Sequence, residues 1–178
     1  MSKLSTKIDD SFSYEACFLE RLNLKEKSEI TFEYVSDFRS AKIIREFIID
    51  LCNRLWIDKI WQWRFILIVD ELNNNAIEYW SLEWDINKMK VNFSIENNLV
   101  DLSIEVQDSW KWKSHKNSKQ MILLRNTKKL KWFFKNNWIR WRWLFMIIEK
   151  LVDKLYFKDS VDWGLIVWIE KKLEIKRD

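Results

Sequence analysis

The chain has 178 residues, with 31 Lys and Arg against 27 Asp and Glu, a net charge of +4, 2 Cys, no Pro, 1 Gly and 13 Trp. A single domain of this size can bury a proper core, and so small a charge excess gives no reason to expect nucleic acid or a membrane surface as partner. No apolar run approaches the ~20 residues of a membrane helix, the N-terminus has no signal-peptide core, and Cys17 and Cys52 lack metal-ligand spacing; a cytoplasmic protein with reduced thiols is expected.

The balance of Gly and Trp is abnormal. Average Gly usage is about 7%, and Trp and Gly together reach roughly 8% of this chain. The Trp positions also fall where Gly is expected. Trp56 follows a helical pattern ending at Leu55, the place of a C-terminal Gly cap. Trp80 and Trp84 flank a polar loop, and Trp163 adjoins the sole Gly164 between two strand-like runs. The expectation is that most or all of these positions hold Gly in the native protein, through a UGA codon reassigned to Gly and translated here as Trp. A literal reading would require 13 indoles, many in charged loops, to find cover.

In chain order, residues 1–27 are weakly patterned and read as an N-terminal extension, with Tyr14, Cys17, Phe18 and Leu22 spaced as a short amphipathic helix. Residues 28–178 read as one domain. Ile30, Phe32 and Tyr34 alternate with polar neighbours as a half-buried strand, and Ser36 or Asp37 can cap the helix after it. Phe38, Ala41, Ile44, Ile48, Leu51 and Leu55 form the apolar stripe of that helix, which Trp56 ends. The next helix carries Phe65, Val69, Leu72, Ala76 and Tyr79 at steps of three and four. Glu71 and Asn75 stand one turn apart on its neighbouring face. A carboxylate and a carboxamide beside a core stripe are costly to bury unless something polar meets them. Alone, such a pair reads as a solvated helix edge; features downstream give it weight.

A hairpin follows. Val91, Phe93 and Ile95 alternate, Asn97-Asn98 make the turn, and Val100, Leu102, Ile104 and Val106 return into Gln107-Asp108-Ser109-Trp110-Lys111-Trp112. From Lys113 to Asn137 the chain is basic, with one apolar patch at Met121–Leu124, and a stretch of this length within a domain reads as a lid or binding loop. Trp138-Ile139-Arg140-Trp141-Arg142-Trp143 leads into a helix bearing Leu144, Ile147, Ile148, Leu151 and Val152. Tyr156-Phe157 and Leu165, Val167 and Ile169 supply the last two strands. His115, the sole His, lies in the polar stretch with no helical dimerisation segment around it, and reads as solvated rather than as a phospho-acceptor.

With Gly read at Trp, three motifs stand in order: E-x-x-x-N-A at Glu71–Ala76, D-x-G-x-G at Asp108–Trp112, and G-x-G-L at Trp141–Leu144. Each is weak alone; the ordered set is fairly specific. In it the chain resembles the GHKL ATPases, and among them the bacterial anti-sigma factor serine/threonine kinases, over residues 28–173. The resemblance implies an α/β two-layer sandwich, the Bergerat fold, with a mixed, mostly antiparallel sheet, helices on one face, and ATP held between the helices and a lid at residues 113–140.

It also implies ATP and Mg²⁺ as cofactors. Asn75 would coordinate Mg²⁺ bridging the phosphates, which suits a hard cation with oxygen ligands. Glu71 would be the general base toward the attacking hydroxyl, and Asp108 would accept from the adenine amine. Trp110 and Trp112, as Gly, would let the backbone pass close beneath the base. Trp141 and Trp143, as Gly before Leu144, would turn backbone N–H groups toward the phosphates, with Arg140 or Lys131 reaching the terminal one. Literal Trp at these four positions would obstruct the pocket. The Thr common at the start of the family's last strand is replaced by Leu165 and Ile166.

The implied function is a Mg-ATP-dependent serine/threonine protein kinase that phosphorylates an anti-sigma antagonist and sequesters a sigma factor. Those two proteins are the implied partners, with a homodimer as a further assembly and no nucleic acid or membrane. The alternatives are the ATPase module of another signalling system and an ATP-binding interaction module without catalysis. A Trp-stacking binder of single-stranded nucleic acid rests on literal Trp alone.

Overall fold

Alternating apolar and polar residues build most of the sheet in this computed structural model, which describes residues 2–8, 26–77, 85–109, 117–130, 148–161 and 164–175. The strands are β1 (Ser2–Ile8), β2 (Ser28–Val35), β3 (Ile86–Glu96), β4 (Leu99–Gln107), β5 (Lys154–Asp159) and β6 (Leu165–Glu174). The helices are α1 (Phe38–Arg54), α2 (Lys59–Asn75), α3 (Ser118–Leu130) and a single turn, α4 (Glu149–Leu151). The strands form one sheet in the order β1-β2-β3-β4-β6-β5. Among the described strands, only β1 and β2 pair in parallel; the other pairs are antiparallel. The result is a mixed α/β fold with a largely antiparallel sheet.

Register aligns the apolar residues into rungs that cross the sheet. Ile30, Val91, Ile104, Ile169 and Leu155 are successive cross-strand partners, and so are Phe32, Met89, Val106, Val167 and Phe157. All of them are buried in one core with the inner residues of α1 and α2. Phe32 meets Phe47 of α1 edge to face, with ring centroids 4.7 Å apart. The opposite face carries cross-strand ion pairs, Lys3–Glu29, Lys88–Glu33, Lys90–Glu105 and Lys172–Asp101 among them. Such exposed pairs stabilise little, and they mark that face as polar.

Local signals set the helix ends. The Asp37 side chain accepts from the Ser40 N–H at 2.6 Å and caps α1; Asp58 accepts from the Trp61 N–H at 2.9 Å and caps α2. The expected stripe of α1 is buried from Ala41 to Leu55, but Phe38 is 61% exposed. It is the first residue of the helix, and burial begins only at Ser40. Buried Gln62 ties the two helices by donating to the Ile49 carbonyl at 3.0 Å and to Asn53 Oδ1 at 2.9 Å. Burial pushes the Cys52 thiol up to about 12 despite the nearby Lys59, so it is protonated and inert; Cys17 lies outside the described residues.

Between the helices the backbone turns at Trp56 with φ 54°. That is the left-handed conformation, costing an L-residue roughly 1–2 kcal/mol, and it falls where the helical pattern calls for Gly. The hairpin turn has the same sign at both centres, Asn97 at 51° and Asn98 at 61°, as a type I′ turn requires.

One feature of the N-terminus differs from expectation. Residues 2–8, within the N-terminal extension, form the parallel edge strand β1, which the weak pattern does not announce. The helix expected over Tyr14–Leu22 lies outside the described residues, as does Tyr79. Within the basic stretch, residues 118–130 are helical, and Asn117 and Gln120 exchange side chain-to-backbone bonds of 2.9 and 3.1 Å as a capping box. Ser118 donates from its N–H and its hydroxyl to the Asp159 carboxylate, Arg125 donates to the Leu155 carbonyl at 3.0 Å, and Met121 is fully buried. Among the described residues, no helix is long and apolar enough to cross a membrane.

Candidate functional site

The inward phase of each central strand can be followed past its last apolar residue, and at one end of the sheet it turns polar. On β2 the phase runs Ile30, Phe32, Tyr34; on β3 it runs back through Val91 and Met89 to Asn87, the register partner of Tyr34. On β4 it runs Leu102, Ile104, Val106 and then, one residue beyond the strand, Asp108. Asp108 remains tied to the neighbouring strand. Its N–H donates to the Leu165 carbonyl at 3.2 Å, and its Oδ1 accepts from the Leu165 N–H at 2.9 Å. Tyr34, Asn87 and Asp108 are all buried.

Above this polar end lie the last turns of α2. The apolar stripe Phe65, Val69, Leu72 and Ala76 is fully buried, as its spacing predicts. Asn75 is 2% exposed and Asn73 is fully buried. The Tyr34 hydroxyl donates to Asn73 Oδ1 at 2.6 Å and so joins the sheet to the helix. Among the described residues, the Nδ2 groups of Asn73 and Asn75 have no hydrogen-bond partner. Glu71, one turn before Asn75, is half-buried. Burial, and after it the negative charge of Asp108, pushes the Tyr34 phenol well above the usual tyrosine value; both effects oppose a phenolate.

Gly164 supports Asp108 from the other side. A Cβ there would collide with the Asp108 carbonyl oxygen and stand 2.9 Å from Oδ1. No other residue type allows β6 to enter so close to the carboxylate.

Of the residues singled out from sequence, Glu71, Asn75 and Asp108 are brought to the same end of the molecule. Trp110, Trp112, Lys131, Arg140, Trp141, Trp143 and Leu144 lie outside the described residues, as does His115. Among the described residues, no group of three or more His, Cys, Asp or Glu side chains could hold a metal ion. Tyr34, Asn73 and Asn87 were not anticipated. For Tyr34 and Asn87 the signal is the strand phase: the inward alternation of β2 reaches Tyr34, and that of β3 and β4 carried one step further lands on Asn87 and Asp108. Asn73, on a helix, carries no such signal.

The arrangement offers a buried carboxylate fixed by a backbone N–H, two buried carboxamides with unmet donors, and a carboxylate at the rim. Such a set suits a ligand with both donor and acceptor edges. Compared with protein-family models the chain matches none, and no curated protein matches it.

Proposed function

We propose that the protein binds Mg-ATP at the Asp108 end of the sheet and is a serine/threonine protein kinase of the anti-sigma regulatory type with a Bergerat fold. Its phosphate acceptor would be an anti-sigma antagonist, and its second partner a sigma factor. The observation that carries this is the buried polar end beneath α2. Asp108 and Asn75, picked out by motif order alone, are both almost wholly buried where a core would place apolar side chains. A chain retains such groups when a ligand meets them.

Asp108 would accept from the adenine amine while Leu165 fixes its other lone pair. Asn75 would be one protein oxygen among phosphate and water ligands of Mg²⁺, a donor set that ion accepts. The ion would offset charge on the phosphates during transfer. Glu71, half-buried and one turn away, can stay in contact with an incoming hydroxyl, take its proton, and so prepare it for attack on the γ-phosphorus; ADP leaves and a phosphoester forms.

The same proposal places Gly at the Trp positions. Support comes from Trp56, whose left-handed backbone favours Gly.

The test uses protein with Gly at all 13 Trp positions. Transfer from labelled ATP to the antagonist encoded nearby is measured beside ATP affinity. Glu71→Gln should lower transfer by ~10²–10⁴ with little change in affinity, whereas Asn75→Ala should lose Mg²⁺-dependent binding and transfer together. A protein that binds ATP and transfers to no candidate would instead be the sequestering module. Equal ATP binding by the Trp and Gly forms would remove the glycine assignment.

A further inference from the structure

We propose that Asn73, held in place by Tyr34, reads the edge of the purine together with Asp108 and makes the pocket selective for adenine. This rests on the Mg-ATP proposal above and adds two residues that the E-x-x-x-N spacing leaves without a role.

Asn73 is fully buried on α2, beside the apolar stripe of that helix. Its Oδ1 accepts the Tyr34 hydroxyl at 2.6 Å, which fixes the carboxamide. Its Nδ2 has no hydrogen-bond partner among the described residues. A buried donor left unmet is expensive, and a native core tolerates it where an acceptor arrives from outside. Asp108 continues the inward phase of β4 at the same end of the sheet, beside Asn87, the register partner of Tyr34. One buried acceptor and one buried donor therefore belong to the same polar end.

Adenine carries the complementary pair: an exocyclic amine that donates, and adjacent ring nitrogens that accept. Guanine presents a carbonyl in place of that amine, with a ring N–H beside it. Against Asp108 the guanine carbonyl is like to like, and with Asn73 at the ring nitrogen N1 the guanine N–H is like to like as well. A site built to bond a specific edge discriminates strongly against an analogue that leaves its groups unpaired. Tyr34 is a positioning residue here, acting on the base only through Asn73.

The experiment is calorimetry on the protein with Gly at the Trp positions, using the Mg²⁺ complexes of ATP, GTP, 1-deaza-ATP and 7-deaza-ATP. GTP should bind far more weakly than ATP. The deaza analogue lacking the ring nitrogen opposite Asn73 should bind about tenfold more weakly than ATP, the factor that corresponds to about 1.4 kcal/mol. Asn73→Leu should erase the difference between ATP and that analogue, and Tyr34→Phe should shrink it, a change in ratio that general loosening of the fold does not produce. If Asn73→Leu fails to fold, Tyr34→Phe and the analogue series on the parent protein decide the matter. ATP bound equally with both deaza analogues would overturn the role of Asn73 and leave the ATP site standing. No nucleotide binding at all would overturn both.

Discussion

The middle of the sheet and its Asp108 end are built by the same strands, on the same face, beneath the same pair of helices. In the middle, the rungs through Ile104 and Val106 are apolar and buried from β2 to β5. At the end, the same phase delivers Tyr34, Asn87 and Asp108, with Asn73 and Asn75 overhead, equally buried and partly unmet in hydrogen bonding. Depth alone therefore does not separate core from site in this protein. What separates them is whether the buried groups satisfy one another, and the difference predicts opposite responses to substitution.

The largest effect on stability belongs to the middle. Ile104→Ala leaves a cavity between fully buried neighbours and should cost about 2–5 kcal/mol in chemical denaturation. At the other end, Asp108→Asn should weaken Mg-ATP binding by roughly 1–3 kcal/mol. It should hold or raise thermal stability, because an Asn oxygen can still accept the Leu165 N–H and a buried charge is gone. An Asp108→Asn protein as unstable as Ile104→Ala would erase the distinction between the two regions.

A finer test uses pH. The native Tyr34 phenol keeps its proton where the unfolded chain, with a tyrosine value near ~10, loses it. The unfolded state then binds fewer protons, so stability is complete below about pH 10 and falls as pH rises beyond it. Cys52 acts in the same direction, its thiol pushed up by burial to about 12. Tyr34→Phe should cost about 1 kcal/mol at neutral pH through the lost bond to Asn73, and should flatten the alkaline decline. Denaturation midpoints measured from about pH 8 to pH 11 check this; identical slopes in the two proteins would place Tyr34 among ordinary core residues.

The smallest expected change lies in neither region and calibrates both. Trp56 is 47% exposed and has φ 54°. Trp56→Gly should therefore be neutral or stabilising by up to about 1 kcal/mol, since relief of the left-handed backbone offsets the lost indole contacts. A clear loss of stability in a thermal melt would count against Gly as the native residue at that position.

How much of this was legible beforehand differs by region too. The middle rungs were readable, because Ile30, Phe32, Val91, Phe93 and the run from Val100 to Val106 alternate without interruption and the Asn97-Asn98 turn sets their register. β1 was not: Ser2–Ile8 is an edge strand with Ile8 as its one buried residue, so hardly any apolar alternation is written into it. At the polar end, Glu71, Asn75 and Asp108 stand out in the sequence through the spacing and order of the expected motifs. Tyr34 read as one more apolar residue of its strand, and Asn73 as one of three successive Asn residues on a helix. Only tertiary placement, with the 2.6 Å bond between them, makes them a pair.

The central position of the β3–β4 hairpin has a consequence for how the chain reaches this fold. Its strands are joined by two residues, whereas β2 waits for β3 across both long helices and β4 waits for β6 across more than fifty residues. Closing the short loop costs the least chain entropy, and isolated hairpins form in about 1–10 μs. The hairpin is thus the natural nucleus, with the N-terminal strands docking on one flank and the C-terminal pair on the other. Folding speed should depend most on the left-handed Asn97-Asn98 turn, and Asp108, one residue beyond the hairpin, would be positioned early while its partners on α2 arrive late.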